Sequence, residues 1–315
     1  MKITNVHHMP DMLVRAVERE YVYRDKRYSI TSLLEPPRII ALKRRYNDKI
    51  EQDIADCIFM LLGTKTHFEL ENIELKENEF VEEHLEYTFE NGYTLSGIID
   101  HYDDEYLDDY KTCKAYSLIF KSDYDKWKKQ LQMGSYLAYK KDDKWRKKGR
   151  IIALIKDWNR LDAQTKSDYP KYACQVINFD LGTPKQVEKM ILEKFDTVIK
   201  LEQMTDDELP LCTAEERFNK GTTWAVKKIK NKKASKIHST EKEAKEHLDN
   251  LEETYPGEYE IEKREGQNLR CEEYCSCCKF CSFWQEHYGN RKGEKNGSRN
   301  NATTSWRERR FKKAK

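Results

Sequence analysis

Two neighbouring strand-like segments that each carry an aspartate place the strongest constraint on how this chain can fold. The first, S-G-I-I-D, is an apolar run that ends at Asp100, and the second, Y-L-D-D-Y-K, contains Asp109 and Lys111. Adjacent strands of a hairpin bring their ends together, so Asp100 and Asp109 are predicted to lie close to each other. Carboxylate oxygens are the ligands that Mg²⁺ prefers. The segment therefore predicts two carboxylates that can share a divalent cation.

The lysine adds a possible catalytic group to this pair. Lys111 follows Asp109 by two residues, and such residues face the same side of a strand. A cation beside a metal-activated water suits attack on a phosphodiester, because negative charge develops there. The alternative is an ordinary solvated hairpin, since 36% of the residues are charged. Four further acidic residues are predicted to be turn residues and solvated charges: Asp103, Asp104, Glu105 and Asp108.

Two helical segments on either side of the hairpin carry polar residues at a spacing of four. G-T-K-T-H-F-E-L-E contains His67 and Glu71, and Q-M-G-S-Y contains Gln132 and Tyr136. Residues four apart share one face of a helix. Histidine is a common metal ligand at neutral pH. Each pair alone is also typical of an ordinary structural helix, so the order of the segments carries the argument.

That order is G-x-x-x-H-x-x-x-E, then G-I-I-D, then D-Y-K-T, then Q-x-x-x-Y. It resembles the PD-(D/E)XK nuclease superfamily, and within it the RecB-like branch, over roughly Ser29 to Asp180. Ile99 stands where the superfamily's namesake proline precedes the first aspartate. The resemblance implies a restriction-endonuclease-like α/β (α+β) core, with a central mixed β-sheet flanked by helices.

The resemblance also implies a role for each matching residue. The implied ligands of Mg²⁺ or Mn²⁺, with two ions expected, are His67, Asp100, Asp109 and the backbone carbonyl of Tyr110. Lys111 is expected to orient and activate the attacking water, and Glu71 to support the metal site or a second ion. Gln132 and Tyr136 are expected to position Lys111 or the DNA strand. The expected products carry 5′-phosphate and 3′-hydroxyl ends.

The implied activity is that of a phage-type, metal-dependent DNA exonuclease in end resection, recombination or repair. Its implied partners are single- or double-stranded DNA ends and a recombination protein. The sequence has no G-x-x-x-x-G-K-S/T loop, which argues against a helicase. Two alternatives remain open: a structure-specific DNA endonuclease, and a non-catalytic nucleic-acid-binding protein with a metal-stapled cysteine cluster.

Five of the nine cysteines lie in C-E-E-Y-C-S-C-C-K-F-C, which begins at residue 271. Such local clustering predicts a metal centre. Some RecB-like nucleases hold a [4Fe–4S] cluster with one upstream cysteine and three near the end of the domain. The resemblance assigns the three to Cys271, Cys275 and Cys281, and it leaves Cys278 or Cys57 as the fourth ligand. Zn²⁺ is the alternative to the iron–sulfur cluster.

The composition divides the chain into three predicted regions. Residues 1–205 are the nuclease core with an N-terminal helical region, and residues 206–288 are a basic α/β appendage with the cysteine cluster. Residues 289–315 are a basic tail, predicted to be disordered, which contains ten of the lysines and arginines. The predicted DNA contacts are Arg38, Lys227, Lys228 and Lys230.

The sequence also predicts a cytoplasmic location, in a bacterium or a phage-infected host cell. It has no run of about 18 apolar residues, so no transmembrane helix or membrane partner is expected. The N-terminal segment M-K-I-T-N-V-H-H-M-P-D-M-L lacks the apolar stretch of a signal peptide.

Overall fold

The computed structural model describes residues 2–18, 23–58, 60–229, 231, 233–255 and 257–289. The chain divides into two compact units, with the boundary between Thr205 and Asp206. All but the first residue of the predicted basic tail, residues 289–315, lies outside the described residues.

The first unit alternates short helices with strands. Its strands are β1 (Lys2–Thr4), β2 (Arg27–Ser29), β3 (Glu51–Asp53), β4 (Phe80–Thr88), β5 (Thr94–Tyr102), β6 (Tyr106–Cys113), β7 (Lys148–Ile155) and β8 (Cys174–Asp180). Its helices are α1 (Asp11–Val17), α2 (Ile30–Leu33), α3 (Pro37–Arg45), α4 (Ile54–Cys57), α5 (Met60–Glu71), α6 (Ala115–Ile119), α7 (Tyr124–Asp142), α8 (Arg160–Thr165) and α9 (Pro184–Gln203).

A six-stranded mixed sheet forms the centre of this unit. β4 and β5 are antiparallel, β6 and β7 are parallel, and β7 and β8 are antiparallel. The parallel pair requires a crossover, which α6 and α7 supply. The helices α7 and α9 carry apolar faces into a core that includes Leu131, Tyr136, Ile191 and Phe195. The predicted fold class, a mixed sheet flanked by helices, is confirmed.

One edge of β5 has a gap in its strand pairing. β4 pairs with β5 from Thr94 to Tyr102, so the other partners of β5 share its opposite edge. On that edge, β2 pairs with residues 94–96 and β6 pairs with residues 101–102. Among the described residues, 97–100 therefore have no strand partner on this edge. They line a groove in the unit.

Local sequence signals explain several of these elements. The Asn91-Gly92 turn joins β4 to β5, and Gly92 has the positive φ of 79° that such turns require. Thr183 caps α9 in a reciprocal capping box with Gln186, directly before Pro184. Gly63 lies inside α5 and does not interrupt it.

The second unit is a small α/β arrangement. Its antiparallel strands β9 (Thr223–Lys228), β10 (Lys236–His238) and β11 (Tyr259–Arg264) have β9 in the centre. Helix α10 (Glu241–Thr254) follows β10, with Thr240 as its N-cap. A π-helical turn (Arg270–Tyr274), a 3₁₀ turn (Cys278–Phe280) and α11 (Ser282–Tyr288) complete the unit.

No helix among the residues described for either unit is long and apolar enough to cross a membrane.

Gly97 allows close packing beside the gap, which makes its replacement a test of this fold. A Cβ atom there would lie 2.6 Å from Ile30 Cδ1. We expect Gly97→Val to lower the free energy of unfolding by about 1–3 kcal/mol, the usual cost of overpacking. Chemical denaturation measures this change. Gly63→Ala is the control, because its Cβ meets nothing within 4 Å. An equal loss of stability in both variants would contradict the packing described for Gly97.

Candidate active site

The gap in the sheet opens into a groove of about 880 Å³, within the range of ligand-binding clefts. Its lining includes the edge of β5 around Asp100 and the β6 residues Asp109 and Lys111. His67 and Glu71 of α5 and Gln130 of α7 also line it. The fold therefore brings five residues that were predicted from the sequence into one cavity: His67, Glu71, Asp100, Asp109 and Lys111.

Three side chains in this groove form a compact set of metal-type ligands. The ligand atoms of His67, Glu82 and Asp100 all lie within 4.8 Å of one another. His67 Nδ1 is 2.6 Å from a Glu82 carboxylate oxygen and 3.7 Å from Asp100 Oδ1. His67 and Asp100 were predicted from the sequence, whereas Glu82 was not. An imidazole and two carboxylates are a suitable ligand set for Mn²⁺ or Mg²⁺.

Glu82 has an unusual backbone conformation for a residue in a strand. In the β4–β5 register, Val81 pairs with His101 and Glu83 pairs with Ile99, so Glu82 lies opposite Asp100. Its φ is +48°, in the left-handed region that side chains other than glycine rarely adopt. Such outliers are concentrated at functional sites. A single glutamate in E-E-H-L-E gave no sequence signal of this role.

Asp109 and Lys111 form the second half of the groove's polar wall. Lys111 Nζ is 2.5 Å from Asp109 Oδ2, as their shared face of β6 predicts. Gln130 Nε2 donates a 2.6 Å hydrogen bond to Asp109 Oδ1. Asp109 Oδ2 is buried, and its contact with Lys111 is an ion pair rather than a well-directed hydrogen bond. A carboxylate in this position can also ligate a divalent cation.

The two aspartates repel each other in a poorly solvated place. Burial raises the pKa of Asp100 to about 7, and the neighbouring charge of Asp109 contributes to this shift. Burial also raises the pKa of Asp109, although Lys111 opposes the shift. The Tyr110 amide donates a 2.8 Å hydrogen bond to Asp100 Oδ2 and so bridges the gap between β5 and β6. The compact ligand set and the two repelling carboxylates together fit a bound divalent cation.

Asp108 differs from its prediction as a solvated charge. Its side chain is buried, and it receives hydrogen bonds from His101 at 2.9 Å and from Arg150 at 2.6 Å through two nitrogens. Burial alone would raise the pKa of Asp108, but these hydrogen bonds hold it below its usual range. Asp104 and Glu105 are exposed, as predicted, whereas Asp103 is half-buried and accepts hydrogen bonds from the Glu105 and Tyr106 amides.

Gln132 and Tyr136 contact partners other than Lys111, and their predicted role in positioning Lys111 or the DNA strand stays a prediction. Gln132 Nε2 donates to the Leu181 carbonyl at 3.1 Å, and the Tyr136 hydroxyl donates to Glu188 at 2.6 Å. Residues two apart on a helix point about 200° away from each other. The face of α7 that lines the groove therefore carries Gln130, and Gln132 faces elsewhere.

Two other predicted roles remain predictions. Glu71 lines the groove at the end of α5, but it is not in the compact ligand set. Tyr110 lies between the two carboxylates, in register with Ile152 of β7, and its amide is the group that contacts Asp100. The suggested coordination by the Tyr110 carbonyl stays a prediction.

The residues predicted to contact DNA lie in different environments. Arg38 is 2% exposed, which leaves little of its side chain open to a phosphate, and the contact stays a prediction. Lys227 Nζ is 3.2 Å from Glu260 and 3.0 Å from Glu262 across the β9–β11 pair, which neutralises its charge. Lys228 is exposed on the same strand. Lys230 lies outside the described residues.

The candidate cysteines fall in both units. Cys57 in the first unit is fully buried in an apolar cluster with Val17 and Ile54, an environment typical of a core thiol. Cys271, Cys275, Cys278 and Cys281 follow one another through the π-helical and 3₁₀ turns of the second unit.

Comparison with known proteins gives little guidance. No family model matches the chain, and no curated protein matches it. Among solved structures, it is similar to one titled "Crystal structure of SSO0001", with 16% identity and a TM-score of 0.38. The match covers 56% of this chain and 78% of that chain. A similarity this weak carries no argument about function, which has to rest on the geometry of the groove.

The raised pKa of Asp100 predicts a pH-dependent cost to stability without metal. Between its ordinary pKa of 3.8 and about 7, the unfolded chain loses this proton while the folded protein keeps it. Stability therefore falls as pH rises through this window, and the loss is complete above it. Asp100→Asn removes this cost and keeps an acceptor for the Tyr110 amide. In a chelator at pH 8, we expect Asp100→Asn to raise the free energy of unfolding by on the order of 3 kcal/mol.

Denaturant unfolding from pH 4 to pH 8 measures this effect. The advantage of Asp100→Asn should grow with pH in the chelator and shrink when Mn²⁺ is added, because Mn²⁺ stabilises only the ionised site. Asp104→Asn is the control, since Asp104 forms an exposed ion pair with Lys144. A variant that is less stable than the wild type at pH 8 in the chelator would contradict the repulsion described here.

Proposed function

We propose that this protein is a divalent-metal-dependent nuclease that hydrolyses phosphodiester bonds in DNA, and that it acts as an exonuclease. The observation that carries the proposal is the meeting of His67, Glu82 and Asp100 with the Asp109–Lys111 pair in one groove. A cation site next to a lysine suits reactions in which negative charge develops on a phosphate.

His67, Glu82 and Asp100 are the proposed ligands of Mg²⁺ or Mn²⁺, and Asp109 is the next carboxylate in reach. When bound, the cation supplies Lewis-acid stabilisation of the phosphate and a lower pKa for water. Lys111 is proposed to stabilise the charge that develops on the phosphate oxygens and to orient the attacking water. Gln130 holds the Asp109 carboxylate beside Lys111, which makes it a positioning residue.

Arginine and hydroxyl side chains in the same groove support a phosphate-bearing substrate. Arg24, Arg27, Ser29 and Thr31 line the groove together with the carboxylates. Arg27 also contacts His84 at 2.9 Å and Glu86 at 2.8 Å, which holds its guanidinium in place. Arginine and hydroxyl side chains are typical contacts of the nucleic-acid backbone. A groove that combines them with a metal-type ligand set fits a polyanion cut at a metal ion.

The preference for exonuclease activity rests on the sequence resemblance to small, free-standing RecB-like nucleases. The same resemblance supports a role in DNA end resection, recombination or repair and a phage origin. It supports the expected 5′-phosphate products as well. A structure-specific endonuclease would use the same groove, so the choice between them depends on whether DNA ends are required.

Digestion of end-labelled single- and double-stranded DNA with Mg²⁺ or Mn²⁺ tests the proposal. We expect Lys111→Ala to lower the rate by about 10²-fold or more, because it removes the charge that stabilises the transition state. Lys144→Ala is the matched control, since Lys144 is an exposed lysine paired with Asp104 away from the groove lining. Circular dichroism and thermal unfolding verify that both variants fold.

Each outcome of this experiment decides a specific point. Full activity in folded Lys111→Ala would show that the site is wrongly assigned. A wild-type protein that binds DNA but does not cut it with either metal would favour the binding-protein alternative. Cleavage of covalently closed circular DNA as fast as linear DNA would replace the exonuclease proposal with an endonuclease.

A further inference from the structure

The second unit gathers its cysteines around a residue that the sequence gave no reason to include. Cys212 lies 59 positions before Cys271, outside the C-E-E-Y-C-S-C-C-K-F-C segment. We infer that Cys212, Cys271, Cys275 and Cys281 bind one [4Fe–4S] cluster, so that the second unit contains a complete ligand set. The inference concerns this unit alone and does not depend on the proposed nuclease activity.

A short capped turn holds Cys212 in place. The Thr213 side chain accepts from the Glu216 amide at 3.1 Å, and the Glu216 carboxylate accepts from the Thr213 amide at 2.8 Å. This reciprocal pair is a capping box. The turn brings Arg217 back, so that its Nη1 donates to the Cys212 carbonyl at 2.7 Å.

Arg217 then connects this turn to the cysteine-rich segment. Its carbonyl accepts from the Arg270 amide at 3.0 Å, directly before Cys271. Its Nε donates to Asn268 Oδ1 at 3.2 Å, and its guanidinium lies 4.6 Å from the centre of the Phe283 ring. An isolated bridge between Asn219 and Asn268 adds a further link. Cys212 and Cys271 are thus attached to the same backbone framework.

The three later cysteines are placed by successive tight turns. The Cys275 amide donates to the Arg270 carbonyl at 2.8 Å, which closes the π-helical turn. The Cys278 amide donates to the Cys275 carbonyl at 3.3 Å, and the Cys281 amide donates to the Cys278 carbonyl at 3.0 Å. Such turns bring cysteines that are separated in sequence to one side of the chain.

The thiols of the proposed set are neighbours. Burial raises the pKa of Cys212 to about 12, and Cys281, Cys271 and Cys275 are each close enough to raise it further. Cys275, Cys281 and Cys278 act on Cys271 in the same way. Cys212 and Cys271 therefore each lie within electrostatic range of Cys275 and Cys281.

One zinc ion and a [4Fe–4S] cluster require different spacings of their cysteine sulfurs. Zn–S bonds of about 2.3 Å in a tetrahedron put all four sulfurs about 3.8 Å apart. Across the described residues, no three cysteine sulfurs lie within 4.8 Å of one another. In a [4Fe–4S] cluster each cysteine binds a different iron, so the sulfurs stand farther apart. The close contact of 3.6 Å joins Cys275 to Cys277, which lies in the connecting turn.

The first test is the metal content of the full-length protein, purified without air. We expect about four irons and four sulfides per chain, with the broad visible absorption of iron–sulfur proteins. Cys212→Ser should lose more than about half of the iron, because a [4Fe–4S] cluster needs four ligands. Cys57→Ala and Cys174→Ser should retain it; Cys174 is an exposed thiol in the first unit and serves as the matched control.

Hydrogen exchange of the same full-length variants separates loss of the cluster from general misfolding. In Cys212→Ser, we expect faster exchange within residues 206–289 and unchanged exchange in the β5–β6–β7 sheet. The inference is overturned if Cys212→Ser keeps its full iron, if Cys57→Ala loses it, or if the wild type contains zinc and no iron. Because none of these measurements uses DNA, a failure here leaves the nuclease proposal untouched, and the reverse also holds.

Discussion

The site depends on the repulsion between two buried carboxylates, Asp100 and Asp109, at a break in the sheet. β5 and β6 share two paired positions and then separate, so Asp100 and Asp109 follow as the next opposing residues. Their charges repel, and burial prevents water from relieving the repulsion. The fold tolerates this cost through the Tyr110 amide, Lys111 and Gln130, each of which contacts one carboxylate. A divalent cation would remove most of the remaining cost.

The same break explains why several distant segments meet in one place. β2 occupies the first part of the β5 edge and brings the arginine and hydroxyl residues of the groove with it. Helix α5 contributes His67, and β4 contributes Glu82 directly opposite Asp100. Continuous strand pairing along this edge of β5 would leave no room for these side chains. The groove is therefore a consequence of strand order, and Gly97 keeps the packing beside it close.

Local patterns predicted much of this architecture, and they failed where partners are distant in sequence. The Asn91-Gly92 turn, the capped α9 and the Asp109–Lys111 pairing follow from signals within a few residues. Glu82 and Cys212 carry no such signal, because strand register and a remote turn place them. Asp108 was misjudged because its partner Arg150 lies 42 residues away. Gln130 was missed because the helical phase of α7 relative to β6 is a tertiary property.

Diffraction from crystals soaked in Mn²⁺ would test the central claim most directly. We predict an anomalous difference peak for one Mn²⁺ ion that His67, Glu82 and Asp100 bind, with Asp109 as the nearest further carboxylate. Glu82→Gln should weaken this peak, because an amide is a poorer ligand for a hard cation than a carboxylate. The account is contradicted if saturating Mn²⁺ gives no peak in the groove, or a peak that Glu82 and Asp100 do not contact.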